Sequence, residues 1–185
     1  RDIIHWPEKA ESTDFWKVRG GNPILFPFAG TSYADGLRDH WRSRDGNNLP
    51  MPQHGFARNS QFELRDANET RLRTVLVSDE KAKESYPYDY EFQVSYFFNE
   101  LGFLVELGLH NREEFPIPWS PGHHFYFTLP WHEGLGRDSY EINIPAKRAL
   151  RHLENGDLEP EAIDKQAGNA FDNPALVNRI HTHLT

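Results

Sequence analysis

Histidine and arginine side chains close to a glycine make Gln53–Asn59 a candidate segment for proton transfer or anion binding. Its sequence is Gln-His-Gly-Phe-Ala-Arg-Asn, and the glycine after His54 leaves room for the imidazole to reach a ligand. Histidine suits acid–base chemistry because its ordinary pKa is about 6.5. Arg58 offers a planar guanidinium that can pair with a carboxylate or a phosphate. A histidine and an arginine near a turn are also common as surface or structural residues, so both interpretations stay open.

Two further segments contain glycine or histidine at positions that could matter. In Arg19–Pro27 a glycine pair precedes Pro23, which is typical of a turn that leads into a buried strand. This segment matches neither type of phosphate-binding glycine loop. In Pro121–Phe127 two histidines, His123 and His124, are adjacent. Neighbouring residues of a strand point to opposite faces, so only one of these imidazoles can face a given pocket.

Alternating apolar residues predict the strands that would position these segments. Tyr90 to Phe98 alternates with a period of two, a short polar turn follows, and Leu101 to His110 continues the alternation, as in a hairpin. Other predicted elements are strands at Thr70–Ser78, Phe125–Leu129 and Tyr140–Ile144 and a helical turn near Pro174–His181. Prolines between the apolar runs suppress long helices. The predicted fold class is therefore all-β, an antiparallel β-sandwich with few short helices.

The composition limits the classes of function that fit. The chain has 185 residues, with 20 basic and 28 acidic side chains and a formal net charge of -8. It therefore lacks the basic footprint expected of a nucleic-acid-binding protein. It has no cysteine, which excludes disulfides, thiolate catalysis and Cys-based zinc sites. No apolar stretch approaches the roughly 20 residues that span a membrane. A cytoplasmic protein that binds a small ligand, and neither nucleic acid nor membrane, is the expectation.

Taken in order, the motifs between Phe15 and Trp131 resemble those of the aldose 1-epimerase (galactose mutarotase-like) superfamily. The matching elements include the glycine pair with its proline and the His-Gly pair. They also include Tyr86–Pro87, Asn111 at a strand end, and Gly-x-His-x-Tyr-Phe at Gly122–Phe127. The forms Val-Arg-Gly-Gly-x-Pro and Gln-His-Gly-Phe-Ala-Arg-Asn look closest to the hexose-6-phosphate (glucose-6-phosphate) 1-epimerases.

This resemblance implies a reaction and a set of roles. The reaction would interconvert the α and β anomers of an aldose or a hexose 6-phosphate at C1, by opening and closing the sugar ring. His124 would be the general acid, and His54 would support it by hydrogen bonding to sugar oxygens. Arg19 and Arg58 would hold the sugar phosphate, and Gln53 is a further expected substrate-binding residue.

The sequence also departs from the pattern of the family. Asn22 stands where an aliphatic residue is usual, and Phe62 stands where a tryptophan is common. Neither change removes a group with chemistry. His123, the neighbour of the implied acid, should face away from the site. In the family a glutamate close to the C-terminus acts as the base, and we assign no residue of this chain to that role.

The resemblance further implies how the chain is organised. We expect residues 1–185 to form a single β-sandwich domain that lacks the N-terminal strands and the C-terminal part of the family fold. No cofactor and no metal are expected. The partner would be a small-molecule sugar or sugar phosphate, and the protein would be a monomer or a homodimer.

Two alternatives remain open from the sequence. One is a sugar or sugar-phosphate binding protein without catalytic activity on the same scaffold, because the base is not assigned. The other is a cupin-like metal enzyme, in which His54, His124 and one carboxylate would hold zinc or iron.

Overall fold

The computed structural model describes most of the chain and divides it into two compact units. The described residues are 2–10, 15–143, 148–151, 153, 158–159, 163–164, 169–170 and 179–182. One unit is Trp6–Phe125, and the other combines Arg1–His5 with Tyr126–Thr185. Both candidate histidines lie in the first unit. That residues 1–185 form one β-sandwich domain stays a prediction.

Short strands dominate the described residues, which confirms the predicted all-β class with few short helices. The strands are β1 (Ile24–Leu25), β2 (Tyr33–Ala34), β3 (Leu37–Arg38), β4 (His40–Arg42), β5 (Asn48–Pro50), β6 (Glu63–Ala67), β7 (Arg71–Val77), β8 (Tyr90–Asn99), β9 (Gly102–Asn111), β10 (Gly122–His123), β11 (Glu141–Ile142), β12 (Arg148–Arg151), β13 (Ile163–Asp164), β14 (Asn169–Ala170) and β15 (Arg179–Thr182). The helical elements are α1 (Glu80–Ser85) and the 3-10 turns Ala57–Asn59 and Arg137–Ser139. Within the described ranges, no helix has the length and apolar character needed to cross a membrane.

A four-stranded antiparallel sheet, in the order β6-β7-β8-β9, forms the largest element of the Trp6–Phe125 unit. The predicted hairpin is confirmed, because β8 and β9 pair from Tyr90↔Asn111 to Asn99↔Gly102. The alternation of β8 places its aromatic and aliphatic residues, except Phe97, on one face, where Phe92 and Val94 are buried. The strand predicted over Thr70–Ser78 is confirmed as β7.

The core of this unit lies on that apolar face of the sheet. The ring of Phe26 stacks on the ring of Phe92, with 4.1 Å between centroids and 12° between planes. Both side chains are fully buried, together with Tyr86 and Tyr90. Burial of an aromatic side chain of this size stabilises a fold by about 2–3 kcal/mol. Phe26 is therefore tied to the sheet by packing.

We call residues 24–29 the central segment, because it pairs with chain on both of its sides. On one side β1 pairs with β10, with Ile24 opposite His123. Further along the same edge, Ser120 forms a parallel bridge to Phe28: its N–H donates to the Pro27 carbonyl at 2.8 Å, and its carbonyl accepts the N–H of Ala29 at 2.7 Å. The segment that contains the adjacent histidines is thus fixed to one edge of the central segment.

The other edge of the central segment holds the His-Gly element. The Phe26 carbonyl accepts the N–H of Phe56 at 3.0 Å and the N–H of Ala57 at 3.3 Å. Gly55 forms a bridge to Phe26 and has a φ of 71°. Only a residue without Cβ fits, because a Cβ at Gly55 would lie 2.0 Å from the Phe26 carbonyl oxygen.

The second unit corrects two expectations. The predicted strand Phe125–Leu129 is wrong, since the described backbone there forms only an isolated bridge from Phe127 to Ile4. A longer ladder is blocked because Pro130 and Pro7 follow the two short segments and have no N–H to donate. The other predicted strand is shorter than expected, with β11 in place of Tyr140–Ile144, and residue 144 lies outside the described residues.

Helix prediction was also wrong in part. The helical turn expected near Pro174–His181 falls on 174–178, which lie outside the described residues, and on the first residues of strand β15. The helix α1 was not predicted. It begins after Asp79, whose carboxylate caps the first turn by accepting the N–H of Ala82 at 2.7 Å.

We expect Gly55→Ala to lower the free energy of unfolding by about 3 kcal/mol or more, because strain at positive φ adds to a clash with buried backbone. Gly36→Ala is the matched control: its φ is 77°, but a Cβ there meets nothing within 4 Å. This control should cost about 1–2 kcal/mol from backbone strain alone. Urea denaturation compares the two variants, and equal losses would contradict the close approach.

Candidate functional site

His54 forms two hydrogen bonds with Gly30, one through its backbone and one through its imidazole. The backbone N–H of His54 donates to the Gly30 carbonyl at 2.7 Å, and the Gly30 N–H donates to His54 Nδ1 at 2.9 Å. A backbone N–H can only donate, so Nδ1 carries no proton and the proton of the neutral ring is on Nε2. The backbone therefore sets both the orientation and the tautomer of this ring.

Burial, assisted by nearby positive charge, keeps the His54 ring neutral near pH 7. Burial, and after it the charges of Arg58 and His124, lower its pKa from 6.5 to about 4. A neutral imidazole with the proton on Nε2 donates a hydrogen bond there. His54 is therefore suited to bind an oxygen rather than to deliver a proton.

The rings of His54 and His124 lie side by side. Their centroids are 5.8 Å apart, and their planes meet at 72°. His54 lies beside Gly55 on one edge of the central segment, and His124 follows β10 on the other edge. His124 is exposed, whereas His54 is partly buried. Two imidazoles from distant parts of the chain thus reach the same small area of surface.

The neighbouring His123 has different contacts. Its ring stacks on Phe125, with 5.4 Å between centroids and 27° between planes. Its Nδ1 lies 3.2 Å from the side-chain nitrogen of Asn22. Burial lowers the pKa of His123. The two adjacent histidines therefore have separate surroundings, as expected for neighbouring positions at a strand end.

The arginines Arg19 and Arg58 meet at one tryptophan. The Arg58 guanidinium carbon lies 3.3 Å from the centroid of the Trp16 ring, a cation–π stack. An Arg19 Nη donates to the Trp16 carbonyl at 2.7 Å. Arg58 also donates to the carbonyl of Gln53 at 3.2 Å, and the side chain of Gln53 is exposed. Trp16 was missed in the sequence analysis, where its closeness to Arg19 was the only available signal.

Arg58 also lines a cavity of about 240 Å³, together with residues that include Asn22 and Phe62. Among the residues that the structure describes, no group of three or more His, Asp or Glu side chains is arranged to hold a metal ion. A centre built on His54, His124 and a carboxylate thus finds no third ligand within those residues.

A family model described as "Aldose 1-epimerase" matches residues 13–180. The chain belongs to the aldose 1-epimerase family. The resemblance of its motifs to this family is therefore confirmed.

Three similar proteins show how closely the chain is related in sequence and in structure. Protein LacX (chromosomal) of Lactococcus lactis subsp. lactis is 28% identical over 137 residues, which are 71% of this chain and 44% of that protein. The Escherichia coli (strain K12) protein named "Putative glucose-6-phosphate 1-epimerase" is 28% identical over 142 residues, 69% of this chain and 42% of that protein. The X-ray structure of a galactose mutarotase related enzyme from Lactobacillus acidophilus matches with a TM-score of 0.71 and 21% identity.

The structural match covers 92% of this chain and 55% of the Lactobacillus acidophilus chain. It shows that this member of the aldose 1-epimerase family has a galactose mutarotase-like fold, which confirms the predicted β-sandwich class. The chain spans less than half the length of the relatives it matches in sequence, 44% for LacX and 42% for the Escherichia coli protein.

We expect the His54 ring to titrate with a midpoint near pH 4 in an NMR pH titration. Between pH 6.5 and about 4 the unfolded chain binds a proton on this residue and the folded chain does not. The free energy of unfolding should therefore fall as the pH drops through that range. His54→Gln should make the fall shallower. A midpoint near 6.5 would contradict the buried, neutral imidazole.

Proposed function

We propose that the protein is a carbohydrate epimerase that interconverts the α and β anomers of an aldose or a hexose 6-phosphate at C1. The observation that carries the proposal is the His54–His124 pair, with ring centroids 5.8 Å apart beside two arginine-bearing segments. Membership of the aldose 1-epimerase family supports the same reaction. The substrate would be a small sugar, and the reaction would use the side chains of the protein as acid and base.

The reaction needs two proton transfers on opposite sides of the hemiacetal. An acid protonates the ring oxygen while a base removes the proton of the C1 hydroxyl, and the ring opens to the aldehyde. Rotation about the C1–C2 bond and reclosure then give the other anomer. Each positioned proton transfer contributes on the order of 10²–10⁴-fold to the rate.

The difference between the two histidines supports different roles for them. Nδ1 of His54 accepts the Gly30 N–H, and the lowered pKa keeps this ring neutral, so it donates a hydrogen bond from Nε2 to a sugar oxygen. His124 is exposed at the same place and would act as the general acid on the ring oxygen. The base would be a glutamate near the C-terminus, as the resemblance implies, and it is not assigned in this chain.

The arginine pair supports a phosphorylated substrate. Arg58 stacks on the Trp16 ring, and Arg19 donates to the carbonyl of the same residue, so both guanidinium groups contact Trp16. Two such groups can bind a phosphate dianion through charge-assisted hydrogen bonds. The net charge of -8 does not oppose this, because binding depends on the local field. Gln53, whose carbonyl accepts from Arg58, would line the same site.

Other expectations accompany this function as predictions. They are a cytoplasmic location and a monomeric or homodimeric state. The alternative is a binding protein on the same scaffold that holds a sugar or sugar phosphate without interconverting anomers. It would bind sugar in a saturable way and leave the rate of anomer exchange unchanged.

His124→Asn should reduce anomer exchange by about 100-fold or more, since it removes the acid, while sugar binding stays largely intact. Polarimetry or NMR exchange on freshly dissolved α-glucose and α-glucose 6-phosphate measures the rate in the full-length polypeptide that carries this sequence. His110→Asn, the same change at an exposed position of β9, is the control and should keep the rate. Saturable binding without any acceleration over buffer by the wild type would favour the binding protein.

Arg58→Ala should weaken glucose 6-phosphate about 10- to 100-fold, because a charge-assisted hydrogen bond to phosphate is lost. The affinity for glucose should change far less. Isothermal titration calorimetry with both sugars gives the two ratios. Arg65→Ala removes a guanidinium that pairs with Glu63 on β6 and should change neither affinity. Equal losses for both sugars after Arg58→Ala would show that this guanidinium does not bind phosphate.

A further inference from the structure

The side-chain amide of Asn22, two residues before β1, contacts Tyr96 of β8 and the adjacent residues His123 and His124. Its nitrogen lies 3.1 Å from the Tyr96 hydroxyl and 3.2 Å from Nδ1 of His123. Its oxygen accepts the backbone N–H of His124 at 3.1 Å. One partly buried side chain thus contacts the sheet, the residue before the proposed acid, and the proposed acid itself.

The orientation of this amide follows from the chemistry of its partners. A backbone N–H only donates, so the group that faces the His124 N–H must be the Asn22 oxygen. The NH₂ group then faces Tyr96 and His123, and both of these offer acceptors. His123 consequently accepts on Nδ1 and carries its own proton on Nε2. All three contacts are satisfied by one arrangement of hydrogens.

The position of Asn22 explains why a side chain is needed at this point. The pairing of β1 with β10 ends at Ile24 opposite His123. The residue before Ile24 is Pro23, which has no N–H and cannot extend the ladder by donating. The Asn22 oxygen takes the N–H of the next residue, His124. The side chain thereby extends the pairing one residue beyond the backbone ladder, to the residue whose ring lies beside His54.

Tyr96 gives this link a rigid anchor. It lies on β8, where it pairs with Leu72 of β7 and Val105 of β9. Its hydroxyl oxygen accepts the hydrogen bond that the Asn22 NH₂ group donates, and burial raises the pKa of this hydroxyl. An aliphatic residue at position 22, usual in the resembled family, could make none of the three hydrogen bonds.

We propose that Asn22 is a positioning residue, which holds the backbone at His124 so that the His124 imidazole stays beside His54. This inference rests on the proposed function, because it assigns importance to the place of the general acid. Asn22 itself contacts no reacting atom and acts through the residue that it holds. Misplacement of a catalytic group by about 1 Å can reduce a rate on the order of 100-fold.

The test compares Asn22→Leu, which has a similar size and no hydrogen-bonding group, with Asn22→Asp, which keeps an acceptor for the His124 N–H. Two readouts are taken on the full-length polypeptide: hydrogen exchange of the His124 backbone amide by NMR, and kcat and KM for anomer exchange. Amides in the middle of β8 serve as an internal standard for global stability.

Asn22→Leu should speed exchange of the His124 amide about 10-fold or more and lower kcat about 10- to 100-fold, with KM within about twofold. Asn22→Asp should recover most of the amide protection and part of the rate. The control is Asn99→Leu, since Asn99 likewise accepts a backbone N–H through its oxygen, from Leu101 at 2.9 Å, at the far end of the hairpin. It should leave both readouts at His124 unchanged.

An active Asn22→Leu variant with wild-type kcat and wild-type exchange of the His124 amide would overturn the positioning role and leave the proposed function standing. A wild type without anomer exchange would overturn the proposed function instead. In that case the exchange of the His124 amide would still decide whether Asn22 holds this backbone.

Discussion

The backbone of the central segment, residues 24–29, is the constraint on which the candidate site depends. Phe26 is fully buried against Phe92, and its carbonyl accepts two N–H groups from the residues after Gly55. The opposite edge of the same segment pairs with β10. Because a single short stretch is fixed to the core and paired on both sides, it sets the separation of His54 and His124. The packing that holds the central segment in the core therefore also determines the geometry of the site.

The two histidines differ because their surroundings differ. His54 has a left-handed φ of 69°, two hydrogen bonds to Gly30, and partial burial that lowers its pKa to about 4. His124 lies just beyond a strand end and is exposed, with its backbone held by Asn22. Under the proposed function, such a division lets one imidazole donate a hydrogen bond while the other transfers a proton. Identical residue types can thus support different tasks.

Two residues that no sequence motif specifies, Trp16 and Asn22, complete this arrangement. Trp16 contacts both Arg19 and Arg58, one through its carbonyl and the other through its ring. Asn22 links Tyr96 of the sheet to the histidine segment. Both residues connect pieces of chain that meet only after folding. Asn22 stands where an aliphatic residue is usual, and from the sequence this change removes no group with chemistry. In the fold, however, its side chain links the sheet to the residues around His124.

The sequence by itself determined the family, the all-β class, the hairpin of β8 and β9, and the identity of the candidate residues. These properties depend on local alternation and on short motifs, which can be read without knowing the path of the chain. Only the tertiary structure decided that the two imidazoles meet, which nitrogen of His54 carries the proton, and that the Phe125–Leu129 run forms only an isolated bridge. Each of these depends on hydrogen bonds between residues far apart in sequence, whose partners are set by chain closure and packing rather than by local pattern.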